Sequence, residues 1–292
     1  MNKANDTSEG DGWFAASGDC VHLLRDMPAS SVHLTVTSIP FASLFTYSAS
    51  DRDFGNCRDQ DEFFGQFKFW VKELLRVTKP GRIAAIHSMI LPTVKTRDGV
   101  IGLRDFRGEV VRAMVEGGWI FHSETAIWKD PVTAMQRTKA LGLLHKQVKK
   151  DSCMSRTGIL DYLDAFRVPG QNPEPVSHTD ESYPVSKWQQ VASPVWMDID
   201  QGDTLQNRSV RQEADERHLC VLQRQVIENC VELWSNENDV VLDPFGGIGS
   251  TGVVALNMGR RAVIHELKPV YYEQAVANMS AAKRQTSLFT NA

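Results

Sequence analysis

The chain has 292 residues, 42% of them hydrophobic, a formal net charge of −4 and five scattered cysteines, Cys20, Cys57, Cys153, Cys220 and Cys230. That length suits one large α/β domain carrying an insertion over a well-buried core. No apolar run reaches membrane-spanning length, the opening MNKANDTSEGDG is not a secretory pattern, and no CxxC occurs, so a soluble cytoplasmic protein with reduced thiols and no bound metal is predicted.

In chain order, SVHLTVT (31–37) is β-rich and ends on Ser38, Ile39, Pro40 and Phe41. DEFFGQFKFWVKELLRVTKPG then sets Phe63, Phe67, Trp70, Val71 and Leu74 at helical spacing before a Lys-Pro-Gly stop. RIAAIHS (82–88) reads as a buried strand, FRGEVVRAMVEGG (106–118) as a helix closed by two glycines, and WIFHSETAIWK (119–129) as another strand. From 130 to 216 the periodicity breaks into basic, proline-containing and acidic pieces, which predicts an inserted recognition region. Order returns with a helix (220–235), the strand DVVLDPF (239–245), a glycine-rich turn, the helix STGVVALNMG (250–259), the strand RRAVIHE (260–266) and a helix from 268 to 285. Such alternation predicts a parallel or mixed sheet with covering helices.

The acidic total conceals a basic stretch. Between 129 and 156 lie seven basic residues, Lys129, Arg137, Lys139, Lys146, Lys149, Lys150 and Arg156, against Asp130 and Asp151. By itself such a run is either a solvated helix face or a surface for an anionic polymer. Trp128, Trp188 and Trp196 in the same region are either packing residues or walls of a pocket.

In VVLDPFGGIGSTG, Gly247, Gly249 and Gly252 satisfy GxGxxG between a strand and a helix, and the next strand ends in Glu266, where an acid can bind ribose hydroxyls. Both a nicotinamide dinucleotide and S-adenosylmethionine fit such a turn. Asp243, just before the glycines, would repel a pyrophosphate but suits the ammonium of a methionine moiety. With S-adenosylmethionine bound there, the end of the first strand acquires a use. Ser38 Oγ and the carbonyl of Ile39 can accept hydrogen bonds from a ring-attached amine, Pro40 keeps residue 39 extended, and Phe41 can stack on a planar base.

On these residues the sequence resembles the amino-methyltransferases of DNA that make N6-methyladenine or N4-methylcytosine. TSIPF is similar to their [DNS]PP[YFW] tetrapeptide and VLDPFGGIGSTG to their FxGxG cofactor loop; GDCVHLLRDMPASSVHLTVTS, ELLRVTKPGR and HELKPVYYEQA match further segments. Catalytic motif first and cofactor loop last is the order of the permuted β-type group. The resemblance implies a Rossmann-like mixed sheet of the S-adenosylmethionine-dependent methyltransferase class, with a catalytic half at 13–129, a target-recognition insertion at 130–216 and a cofactor-binding half at 217–286. Carried over by position, it implies cofactor binding by Asp19, Asp243, Phe245, Gly247, Gly249, Ser250, Thr251 and Glu266, and a base site of Ser38, Ile39, Pro40 and Phe41. It implies a double-stranded DNA partner gripped through Lys139, Lys146, Lys149 and Lys150, a base flipped out of the duplex, a place in restriction-modification and room for a homodimer. Serine at the head of the tetrapeptide leans toward N4 of cytosine over N6 of adenine. Two departures stand out: Ile39 replaces the first proline, and the segment before the glycine loop lacks the family's Lys-Pro pair, leaving His218 and Gln223 as candidates for the methionine carboxylate. An RNA or small-molecule methyltransferase and a non-catalytic DNA-binding relic are the alternatives.

Overall fold

The computed structural model describes residues 6–41, 53–138, 141–205 and 221–290. Its first two strands, β1 (Asp6–Gly10) and β2 (Trp13–Ser17), form a hairpin around Asp11-Gly12, a dipeptide suited to a tight turn, with Gly12 at φ 79°. Then come α1 (Cys20–Asp26), β3 (Val32–Ser38), α2 (Gln60–Val77) and β4 (Thr78–Met89). Asp59 caps α2 through the Glu62 amide, and Phe63, Phe67, Trp70, Val71 and Leu74 form its buried stripe, as their spacing predicts. A small ribbon of β5 (Leu91–Thr93), α3 (Lys95–Asp98) and β6 (Gly102–Arg104) precedes α4 (Phe106–Glu116) and β7 (Ile120–Ile127). Next are α5 (Pro131–Thr138), α6 (His145–Lys150), β8 (Asp161–Arg167), α7 (Val185–Val191) and β9 (Val195–Trp196). The chain ends with α8 (Arg224–Trp234), β10 (Val240–Asp243), α9 (Ser250–Asn257), β11 (Arg261–Glu266) and α10 (Pro269–Thr290).

Nine strands make one mixed sheet in the order β1-β2-β11-β10-β3-β4-β8-β7-β9. β2, β11, β10, β3 and β4 run parallel, whereas β8 runs antiparallel to both β4 and β7. Alternate residues divide the sheet between two cores. Leu34, Val36, Ile83, Ala85, Leu163 and Ala165 pack against α8, α9 and α10, while Ala84, Ile86, Phe166 and Leu242 pack against α1, α2 and α4. The mixed sheet covered by helices matches the expected fold class.

Part of the stretch expected to be an insertion belongs to this sheet. Residues 161–167 form β8, wedged between β4 and β7, and β9 pairs with the end of β7. β8 escapes pattern reading because Asp161 and Asp164 interrupt its apolar run, and both are buried against cations from other elements: Asp161 against Lys129, Asp164 against Arg107. Trp196 is buried, whereas Trp188 is 55% exposed and Trp128 36%. No described helix is long and apolar enough to cross a membrane.

The topology places a crevice. From β10 the chain crosses through α9 to β11 on one face, and from β3 it crosses through α2 to β4 on the other, although β10 and β3 are neighbours. Such a switch point opens a cleft beyond the carboxyl ends of the two strands, which are Asp243 and Ser38.

Candidate active site

The cleft encloses about 980 Å³, part of it open to solvent, and both Ser38 and Asp243 line it. Asp243 is buried and its carboxylate has three donors: Oδ1 accepts from Thr37 Oγ1 at 2.6 Å and the Phe245 amide at 3.1 Å, and Oδ2 accepts from Thr251 Oγ1 at 2.7 Å. Burial raises its pKa against those three donors. Of the two hydroxyls, one comes from β3 and one from α9, so the same side chain that faces the cleft ties its walls together.

Gly247 adopts φ 52° and donates its amide to Glu266 Oε2 at 2.7 Å; a Cβ there would meet no protein atom within 4 Å, so its backbone is free to approach a ligand. Gly249, at φ 85°, starts α9. Glu266 also accepts the Lys268 amide at 2.8 Å through Oε1, and burial, with Asp243 and Asp53 adding to it, pushes its pKa up to about 7 against these two amide bonds. Asp19 caps α1, its Oδ1 accepting from the His22 amide at 2.9 Å, and it lines the cleft. Phe245 lies on Phe54 and Trp70, with ring centroids 5.6 and 5.5 Å away. Ser250 lines the cleft with a buried Oγ that has no hydrogen-bond partner.

The base-site residues divide. Ser38 and Pro40 line the cleft, while Ile39 and Phe41 are each 1% exposed in the core around α2 and α4. Phe41 meets His87 and Phe106 edge-on at 5.9 and 6.4 Å, so its ring is packed and does not stand free as the platform expected from sequence. Ser38 Oγ lies 2.9 Å from His87 Nδ1, and His87 Nε2 lies 3.1 Å from Asp161 Oδ2, which also pairs with Lys129. Burial opposes ionisation of Asp161, but His87 and Lys129 outweigh it and hold its pKa below the ordinary value.

Lys146, Lys149 and Lys150 lie exposed on α6; Lys139, His218 and Cys220 lie outside the described residues. Gln223 starts α8 next to Val221 and Leu222, which line the cleft. Sequence reading missed Asp53, Phe54 and Tyr271 on the cleft wall and His87 behind it. A histidine inside the apolar run RIAAIHS was the available signal for the last; Asp53, the cap of a short 3-10 turn, offered none. Cys20, Cys57, Cys153 and Cys230 are free thiols.

Acids dominate the cleft: Asp19, Asp53, Asp243 and Glu266 line it with Lys268. With the unpartnered Ser250 hydroxyl and the open backbone at Gly247, this donor and acceptor set fits a small cationic ligand carrying hydroxyls. His33, Glu174 and Asp239 cluster at the opposite rim, but Arg82 and Lys79 already pair with the two acids, and His33 Nδ1 accepts from the Val240 amide at 3.0 Å. That leaves Nε2 carrying its proton toward the carboxylates, the state of an ion-pair knot rather than a metal ligand.

The profile of the DNA methylase family matches residues 32–277. This chain belongs to the DNA methylase family. The amino-methyltransferase resemblance of the two sequence motifs is borne out with it. The type II methyltransferase M.BglII of Bacillus subtilis is 26% identical to this methylase over 280 residues, covering 94% of this chain and 71% of that protein. Among solved structures, the PvuII DNA methyltransferase, described as cytosine-N4-specific, superposes with a TM-score of 0.66 at 18% identity, covering 96% of this chain and 92% of that one. A DNA modification methylase of Thermus thermophilus, TTHA0409, in complex with S-adenosyl-L-methionine gives 0.68 at 22% identity, covering 91% and 92%. Both likenesses are of fold.

Proposed function

We propose that this methylase transfers a methyl group from S-adenosyl-L-methionine to the exocyclic amine of a base flipped out of double-stranded DNA at a specific site, in the cytoplasm. The carrying observation is that Ser38 of the tetrapeptide and Asp243 of the glycine loop end neighbouring strands and open into one acid-lined cleft. When bound, the cofactor supplies an electrophilic methyl group on a sulfonium. Glu266 and Asp19 would hold its nucleoside, and Asp243, Phe245, Gly247, Gly249, Ser250 and Thr251 would surround its methionine side. Ser38 Oγ and the Ile39 carbonyl accept hydrogen bonds from the two N–H groups of the target amine, which turns the nitrogen lone pair toward the methyl group.

Replacement of the first proline by Ile39 is compatible with this, because the isoleucine side chain is committed to the core and only its carbonyl is required. We favour N4 of cytosine as the target from Ser38, a recognition role for segments within 130–216, and the permuted order of motifs, since the central strand β10 comes late in the chain. Methylation-sensitive long-read sequencing of DNA from cells expressing the protein tests this reading. One modified base at one sequence context, lost in Ser38→Ala, is expected; unmodified DNA from soluble wild-type protein would overturn it.

A further inference from the structure

We propose that His87, backed by Asp161, accepts the hydroxyl hydrogen bond of Ser38, so that the serine presents only acceptor lone pairs to the target amine and the proton released by methylation drains into a buried relay. The proposal rests on the base-site reading of Ser38. Four strands build the relay. Ser38 ends β3 and pairs in register with His87 on β4; Asp161 opens β8 opposite Met89; and Ile127, two residues before Lys129, pairs with Asp161. His87 and Asp161 side chains are 6% and 4% exposed, so the arrangement is shielded from water.

A serine hydroxyl alone can donate or accept, and a site that must accept gains from having its one proton engaged elsewhere. His87 Nδ1, 2.9 Å from Oγ, can receive that proton only if the ring proton sits on Nε2. Nε2 is 3.1 Å from the Asp161 carboxylate, which favours that tautomer, although its N–H is not aligned on the oxygen. Phe41 and Phe106 close the other side with apolar rings. The remaining charged pair nearby, Asp164 with Arg107, bonds to Ser88 and so lies on the opposite face of β4.

The electron and proton balance closes on these residues. The amine lone pair forms the bond to the methyl carbon, the carbon–sulfur bond breaks with its pair remaining on sulfur, and the methylated nitrogen is left with an excess proton. An aminium on a heteroaromatic ring is far more acidic than an imidazolium. Its proton passes to Oγ as the hydroxyl proton moves to Nδ1, which regenerates the serine and leaves His87 as an imidazolium facing Asp161, to be discharged to solvent before the next turnover. His87 is thus a positioning and proton-holding residue acting through Ser38.

Two measurements test this. In cofactor-free wild-type protein, 15N NMR of the histidine rings is expected to give the Nε2–H tautomer for His87; an Nδ1–H tautomer, which would make the ring a donor to Ser38, overturns the proposal without any variant. Single-turnover rates on a duplex carrying the sequenced site should rise with pH through one ionisation. In His87→Asn, whose amide oxygen can still accept from Ser38, that limb should vanish and the rate fall about 100-fold or more with DNA and cofactor affinity kept. Asp161→Asn should move the limb to lower pH, because loss of the carboxylate destabilises the imidazolium. A His87→Asn protein with the wild-type rate and limb removes the relay while leaving Ser38 in place if Ser38→Ala is inactive; a fully active Ser38→Ala removes the base-site reading and the relay together.

Discussion

Glu266 concentrates the chemistry of the cleft in one carboxyl group. Its pKa of about 7 lies above the ordinary 4.5, so the ligand-free protein holds an extra proton there, and a ligand gripped by the ionised carboxylate must expel it. Cofactor binding should therefore tighten as pH rises toward about 7 and level off above it. Calorimetry below pH 7 in buffers of different ionisation enthalpy should find proton release that is lost in Glu266→Gln; the same release in the variant would move the linkage to another group. For stability the sign is reversed: the contribution of Glu266 falls as pH rises from 4.5 to about 7. Burial lowers the neighbouring His265 to about 4 from 6.5, so its contribution falls as pH drops through that window. The two adjacent residues of β11 thus oppose each other in mild acid.

At the scale of elements, Asp243 joins β3, β10 and α9 through Thr37 and Thr251. Removing either hydroxyl leaves a buried carboxylate short of a donor, so Thr37→Val and Thr251→Val should each cost about 1–3 kcal/mol in urea unfolding, and the double variant more than either. On α6, neutralising Lys146, Lys149 and Lys150 should weaken DNA binding and lower the log–log salt slope by roughly 0.9 for each phosphate no longer neutralised, with cofactor affinity unchanged. An unchanged slope would make α6 an ordinary solvated face. Elements with an uninterrupted period were legible in the sequence: the stripe of α2, the strands around Leu34 and Leu242, and the glycine turn between β10 and α9. Two kinds were not. In the β1–β2 hairpin the outer strand DTSEG is polar and largely exposed, and the inner strand WFAAS buries Trp13, Ala15 and Ala16 over too few residues to show a period, although Asp11-Gly12 marks the turn. β8 and the His87 relay depend on charges that are buried only because partners arrive from distant elements, and no local window contains both halves of such a pair.

Across the whole molecule, the parallel strands divide the sheet into a rim of carboxyl ends, which carries the cleft, and a rim of amino ends, which carries the knot of His33, Asp239, Arg82, Lys79 and Glu174. Arg82 is 1% exposed; it pairs with Asp239 and donates to the Glu174 carbonyl at 3.1 Å. Arg82→Met should lower stability by about 3 kcal/mol or more in chemical denaturation, since it leaves Asp239 buried with a partner missing, while single-turnover methylation by the folded fraction stays unchanged. Because β8 runs against its neighbours, the chain enters it at the working rim and leaves it at the foundation, where Glu174 fastens the following loop beneath β3 and β4. Residues 168–176 are therefore anchored on the side away from any DNA that reaches Ser38. Swapping that loop between relatives would alter the melting temperature and leave the methylated sequence as it was. On the recognition role proposed for segments within 130–216, drift around α5, α6 and β9 at the working rim is free to change what the protein reads, while drift in the half of the same connection that lies at the foundation is held by the need to stay folded.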